Sequence, residues 1–445
     1  MPAPSPTLPA RAIGGFTAEA FAAHLESQAG APAWWLERKR AAYATFAALP
    51  LPARTDERWR FSTVQGIDLG SCVAATGAAP LPAVLPVKAA ASLVFVNNRL
   101  VSRSAPSAEL ESRGVVVTTI SEALRRHEPL LKAHFMAQAQ RLGSEKFASL
   151  HIAFLADGAF IHIPRGVELS EPILVTHAVS GADAAIFPHT LVVADENSRA
   201  AVVDSFVSIP GTGADSRQLA VGANDLYAGH GSRLAYAAVQ DWSRETLSLQ
   251  LNASIARRDA RIQSLNIHLG GRQSRHESLS ELQAPGAYSE MLALTVASGT
   301  QEFDQRTHQM HQAPNTKSDL LYKNALLDSS RTIFSGLIVV DPDAQKTDAY
   351  QSNRNLVLSE NAEANSLPGL EIQANDVRCT HGATTTRIDP EQEFYLLSRG
   401  IPRAAAHKLL VTAFFEEVLA RLEDAALHDA ILGLIRTKLD GAALA

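Results

Sequence analysis

Two cysteines and fifteen histidines are the residues of this 445-residue chain best suited to hold a metal or move a proton. Cys379 lies in "NDVRCTHGATT", two residues before His381. On a strand, residues two apart share a face, so thiol and imidazole would stand side by side, with Arg378 and Thr380 opposite. A thiol beside an imidazole can be held as thiolate and ligate a soft metal. Free cysteine is also commonly a small buried hydrophobe, and the pair alone leaves both readings open. The other histidine groups point less clearly to chemistry. "THQMHQ" puts His308 and His311 three apart, on opposite faces of a strand, and reads as two polar histidines at a sheet surface. "SRHESLSE" offers His276, Glu277 and Glu281 and reads as a solvated strand face. Cys72, in an Ala/Pro/Gly-rich loop, reads as a bland cysteine.

Most enzyme signatures are missing. No lysine follows a glycine, so the G-K-[ST] of a P-loop is absent. "GTGADS" and "GHGSRL" lack the third glycine of a dinucleotide fingerprint, and no flavin site is readable. There is no G-x-S-x-G elbow and no H-x-H pair of the kind a cupin would use. Two cysteines make neither a disulfide framework nor the four-ligand set of a stable iron–sulfur cluster. A net charge of -6 gives no nucleic-acid footprint. No stretch approaches the roughly 20 apolar residues of a membrane span, and the N-terminus shows no signal peptide. The expectation is a cytoplasmic protein.

The elements that would carry these residues change character along the chain. Residues 1–150 read as α+β after a mobile start. Thr17 caps one expected helix, a second runs to Pro50, and "RTDERWRFSTV" looks strand-like, with Trp59 and Phe61 two apart. "SLVFVNNRLV" reads as a hairpin turning at Asn97-Asn98, "GVVVTTI" as a strand, and residues 121–142 as helical. From 151 to 390 short apolar runs recur every 8–15 residues, with no helix between them. That disfavours a doubly wound sheet. The even lengths favour a β-helix over one sandwich, although no clean sequence period shows. Helices return at 391–445. Asp389 caps the first, with Pro390 at its start, Gln392 placed for a capping box and Gly400 as its stop. The next carries two adjacent apolar rows, Leu410, Phe414, Val418 and Leu422 beside Val411, Phe415 and Leu419, a wide apolar face.

Several segments together resemble one family. "LEIQANDVRCTHGATTTRIDPEQEFYLLSRGIPRAAAHKLLVTAFFEEVL" resembles the C-terminal core of the SufB/SufD iron–sulfur cluster assembly proteins. "ADGAFIHIPRGVELSEPILVTH" resembles the entry into that family's β-domain. "TDERWRFSTV" is similar to its Glu-x-Trp-[Lys/Arg]-[Tyr/Phe] element at Glu57 to Phe61. "SGLIVVDPDAQKTDAYQSNRNLVLS", with Gly336, Lys346, Thr347, Asp348 and Asn355, resembles its central signature. The resemblance spans residues 50 to 425. It implies a right-handed parallel β-helix flanked by helical N- and C-terminal regions, acting as a scaffold and not as an enzyme.

The resemblance also implies partners. They are a SufB-like paralogue, forming a heterodimer, and a SufC-like ABC ATPase docked on the C-terminal helices, for which the Leu410, Phe414, Val418 and Leu422 face is the expected surface. SufB carries His-Glu where this chain has His381-Gly382, and an upstream cysteine absent from "SENAEANSLPGLEI"; the chain resembles SufD. His381, with Cys379, is then expected to form half of a metal site completed across the heterodimer, holding a cluster only transiently on the complex. Alternatives are a stand-alone β-helical enzyme acting on polysaccharide and a cupin-like metalloenzyme. A homodimer of the isolated chain is a further possibility.

Overall fold

A computed structural model describes residues 10–210 and 217–442. Its centre is a parallel β-solenoid of about eight turns, which settles the expected fold class. The chain alternates between two sheets at each step. One sheet stacks, among others, Gln218–Ala228, Thr246–Ala256, Gln273–Leu282, Glu302–His311, Arg331–Val340 and Glu363–Ile372. The other stacks Arg233–Asp241, Arg261–His268, Tyr288–Ala297, Lys317–Leu326, Asp348–Val357 and Arg378–Thr386. All these neighbours pair in parallel, as coils of one spiral must.

The missing sequence period has a simple cause. Gln218 pairs Thr246, Leu247 pairs Gln273, Glu302 pairs Arg331 and Arg331 pairs Glu363, offsets of 28, 26, 29 and 32 residues. The turns absorb the variation, so the repeat exists in space and blurs along the chain.

Strands before residue 151 extend the two sheets. The hairpin strand Ala91–Val96 pairs Ile173–Val179, and Val116–Thr119 pairs Ala159–Ile163. Asn97 and Asn98 take φ of 49° and 63°, the left-handed values expected of that turn. The helical stretch at 121–142 is shorter than the sequence pattern predicts. It forms Ile120–Arg126 and Glu128–His134, and a further helix, Glu145–Phe154, follows.

Each sheet is covered. Phe16, Trp35, Phe46, Trp59, Phe147 and Phe154 of the N-terminal region join Leu219, Val221, Leu247 and Leu249 in one core on the first sheet. The C-terminal helices Arg403–Leu419 and Ala425–Asp440 lay Val411, Phe415, Leu419, Ile431 and Ile435 on Leu265, Leu292, Leu294 and Leu321 of the second.

Two sequence readings are corrected here. "RTDERWRFSTV" is not a strand: Asp56 accepts from Arg58 N at 3.0 Å and caps a 3-10 turn, Glu57–Trp59, and Phe61 has φ of 69°. "SRHESLSE" is not solvated. His276, Glu277 and Glu281 are buried on a strand covered on both faces, the inner one by the solenoid and the outer one by the N-terminal region.

Candidate functional site

The solenoid ends uncapped. Glu363–Ile372 and Arg378–Thr386 are the last strands of their sheets, and no side chain in either is buried. Cys379 pairs Ala349 and His381 pairs Gln351. Ala349 and Gln351 are buried on the inner face of Asp348–Val357, whereas Tyr350 between them is exposed. Cys379 and His381 therefore share the inward face of the last coil, over the open mouth of the lumen. The sequence expectation that they share a face holds.

Their environments differ. Cys379 is half-buried against Ile338, Val340, Ala344, Ala349 and Ala374. Burial pushes its thiol above the ordinary range, so the neighbouring imidazole does not make it a thiolate in this chain alone. His381 is exposed and makes no hydrogen bond or ion pair among the described residues. Its lone pair is free for a ligand. Among the described residues no group of three or more His, Cys, Asp or Glu is placed to hold a metal. The mouth offers two donors, fewer than a stable site requires.

The lumen below is polar. Gln351 lies across it, its Oε1 2.4 Å from where a Cβ on Gly336 would stand, and its Nε2 donates to Gly336 O at 3.4 Å. Gln351 Oε1 and Asn353 Nδ2 have no partner. This interior was not legible in the sequence, where Gln, Asn, Ser and His read as outward residues. His308 and His311 are likewise buried and not at a surface, though they face opposite ways as expected. His311 points inward, bonded to Thr316 Oγ1 and Ser318 Oγ, both at 2.8 Å.

The expected docking face is also revised. Val418 is fully buried in the core against the second sheet. Phe414 and Leu422 pack against that core, and Phe414 also covers Lys323, whose Nζ donates to Phe414 O at 2.7 Å and lies 4.7 Å from its ring centroid. Leu410 is half-buried. Among the described residues, the exposed large apolar side chains of the C-terminal region are instead Phe394 and Tyr395 on the helix Pro390–Ser398 and Leu409 on Arg403–Leu419, at 72%, 57% and 52% exposure. Cys72 is buried, its thiol pushed up to about 11 by burial, which leaves it inert.

A family model for the SUF system FeS cluster assembly SufBD core domain matches residues 177–414, and one for the SufBD protein N-terminal region matches 85–175. The chain belongs to the SufBD family. It is similar to an iron–sulfur cluster assembly SufBD family protein of Synechocystis, 29% identical over 88% of each chain. It is similar to the iron–sulfur cluster assembly proteins SufD of Bacillus subtilis, 28% identical over 75% of this chain and 76% of the relative, and of Escherichia coli, 28% over 88% and 90%. The match covers the solenoid, its open end and the helix Arg403–Leu419 up to Phe414. A role in iron–sulfur cluster assembly follows from membership. No helix among the described residues is long and apolar enough to cross a membrane.

The structure supplies a reason for the Glu57–Phe61 element of this SufBD protein. Trp59 lies with its ring 3.8 Å from the Arg275 guanidinium and donates from Nε1 to Gly143 O at 2.9 Å. Arg275 donates to Arg58 O at 2.9 Å, and Arg306 to Arg60 O at 2.8 Å. The element fastens the N-terminal region to the solenoid and touches no candidate ligand.

Proposed function

We propose that the chain is a SufD-like scaffold subunit whose open solenoid end pairs with a SufB-like paralogue, and whose C-terminal helices receive a SufC-like ATPase. One observation carries the reading: Cys379 and His381 stand on the inward face of an uncapped last coil, at the edge where a second chain must abut. A two-donor set with a free imidazole is half of a ligand shell. The partner supplies the rest, and iron and sulfide pass through as cargo.

The chain's own residues have distinct parts. His381, unpartnered among the described residues, ligates iron, accepts a proton from a partner thiol or bonds a partner carboxylate. Cys379 stays protonated until a metal or partner cation draws the proton off, so it contributes second. Phe394, Tyr395 and Leu409 are the exposed apolar side chains offered to the ATPase.

The test is co-expression of variants with both partners under iron limitation, reading bound iron and sulfide. His381→Ala leaves the complex assembled and removes most of the cluster; Cys379→Ala removes less. Full cluster content in the His381 variant refutes the composite site.

A further inference from the structure

A chain of buried polar contacts joins the N-terminal region to the first sheet. His151, on the helix Glu145–Phe154, donates from Nδ1 to Val221 O at 2.7 Å. Its Nε2 lies 3.0 Å from Nδ1 of His189, the first residue of the strand His189–Ala194. The ring centroids are 5.2 Å apart, so the two rings meet edge to edge. His189 Nε2 lies 3.3 Å from Asp225 Oδ2, within ion-pair range, and has no hydrogen-bond partner. Asp225 Oδ2 in turn accepts from Met136 N at 2.6 Å. His151, His189 and Asp225 are all buried.

The chain needs one proton more than two neutral rings carry. Its three contacts, Val221 to His151, His151 to His189 and His189 to Asp225, each take one hydrogen. A carbonyl oxygen only accepts, so His151 Nδ1 is protonated. Burial holds His151 well below the ordinary range, which leaves its Nε2 as a lone pair. His189 Nδ1 therefore donates to it. With no further proton, the Nε2 lone pair of His189 would face a carboxylate oxygen 3.3 Å away, both buried and mutually repelled. A second hydrogen on His189 turns that repulsion into an ion pair. Asp225 is better placed to keep the negative charge than the proton: Met136 N–H donates to it, and the Arg38 guanidinium attracts it.

The other charged and titratable groups that face this chain are Arg38 and Lys39 from the helix Ala33–Ala48, His177 from Ile173–Val179, and Tyr227 on the strand of Asp225, with Glu281 beyond it. Lys39 Nζ is turned to Ile152 O, Ala153 O and Leu155 O, and Tyr227 donates to His134 O at 2.8 Å. Phe135 packs on the His189 ring, centroids 4.7 Å apart. We propose that His189 is a buried imidazolium paired with Asp225, a proton-dependent latch that fastens the N-terminal region to the solenoid. His151 and Met136 belong to the N-terminal region, His189 and Asp225 to the first sheet. Met136 has φ of 40°, a left-handed value that a methionine keeps only when its surroundings hold it. Loss of the His189 proton sets a lone pair against the carboxylate that holds Met136 N.

The probe is the full chain labelled with ¹⁵N in its histidine rings. An ordinary histidine ionises near pH 6.5, so at pH 7.5 most free rings are neutral. The wild-type spectrum at pH 7.5 should hold an imidazolium whose two ring N–H groups exchange slowly with solvent, and His189→Gln should remove it. Absence of such a signal, or its survival in the variant, overturns the proposal. Stability between pH 6.5 and 8 is the second readout. There the folded chain keeps a proton that the unfolded chain releases, so stability present below pH 6.5 is lost as pH rises. Relative to Asp225→Asn, in which the counter-charge is gone, the wild-type folding constant should fall by up to about tenfold per pH unit, one proton's worth. The comparison cancels Lys146 and Lys438, which burial pushes down to about 8 in both chains. Should Asp225→Asn fail to fold, His189→Gln takes its place. Parallel pH curves for wild type and whichever variant folds overturn the latch.

Discussion

Gly336 shows how one residue of a family signature can be explained by its neighbours. Its φ is not left-handed, so space and not backbone conformation demands glycine there. A Cβ would lie 2.4 Å from Gln351 Oε1 and 2.7 Å from Phe334 Cζ. Gly336→Ala should cost about 1–3 kcal/mol, the usual range for overpacking a filled interior. Gln351→Ala in the same chain should restore part of that loss, because the amide that blocks the Cβ is gone. A double-mutant cycle of urea midpoints reads the coupling; additive losses would show that Phe334 alone sets the limit. At this scale the sequence is uneven in what it reveals. The pairing of Cys379 and His381 on one face follows from two-residue spacing. The burial of Cys379 against Ile338 and Ala344 does not, since those contacts come from the preceding coil, about 40 residues earlier. The burial of His276, Glu277 and His308 is equally hidden. Alternation marks a strand with one wet face, and these strands have none.

The elements that flank the solenoid are fixed by buried polar contacts as much as by apolar ones. Arg275 pairs Glu277 at 2.7 Å and also pairs Asp304, and Arg306 pairs Asp304 at 2.6 Å, all beneath the segment of Trp59. Burial alone would push the Asp304 carboxyl up, but the two guanidiniums outweigh it and hold it below the ordinary range. Arg275→Met leaves the buried Glu277 without a cation and Asp304 with Arg306 alone, and should cost about 3–5 kcal/mol. Hydrogen exchange should quicken first at residues 57–63 and 142–144, the segments that Arg275 and Arg306 hold. Unchanged exchange there would mean that Trp59 packing alone fastens the element. The C-terminal helices illustrate the other limit of sequence reading. Their apolar rows were legible, but which row meets the sheet was not, because both rows have the same helical spacing. Val411, Phe415, Val418 and Leu419 are buried on the sheet, so truncation after Arg399 would bare that surface and should yield aggregated protein. The informative variant is Phe394→Ser with Tyr395→Ser and Leu409→Ser. Exposed positions change stability by about 0.5 kcal/mol or less, so folding should persist. ATPase capture should fall at least tenfold in a pull-down from co-expressing cells; full capture would place the dock elsewhere.

For the whole molecule, the polar interior sets how stability responds to acid. Burial pushes His177 and His276 to about 3 and His311 to about 4; His24, half-buried and facing Lys39, falls to about 3. The ordinary value, 6.5, holds in the unfolded chain. Below it the unfolded chain takes up protons that the folded chain refuses, so stability present above pH 6.5 is lost as pH falls toward 4. Asp204 works in the opposite sense. Burial pushes its carboxyl up to about 7 although Thr190 and Tyr236 donate to it, so between 3.8 and 7 the folded state binds the extra proton. Burial holds His151 and His268 well below the ordinary range too, so six histidines against one aspartate leave a net difference of about five protons. At about 1.4 kcal/mol per proton per pH unit, stability of the chain should fall by about 7 kcal/mol for each unit below pH 6. A domain with about 5–15 kcal/mol to lose should unfold by about pH 4–5. Urea midpoints at pH 7.5, 6.5, 5.5 and 5.0 test the slope. A His276→Leu chain should lose one proton's worth of it, and a midpoint flat across that range would mean that water reaches the lumen and screens these groups.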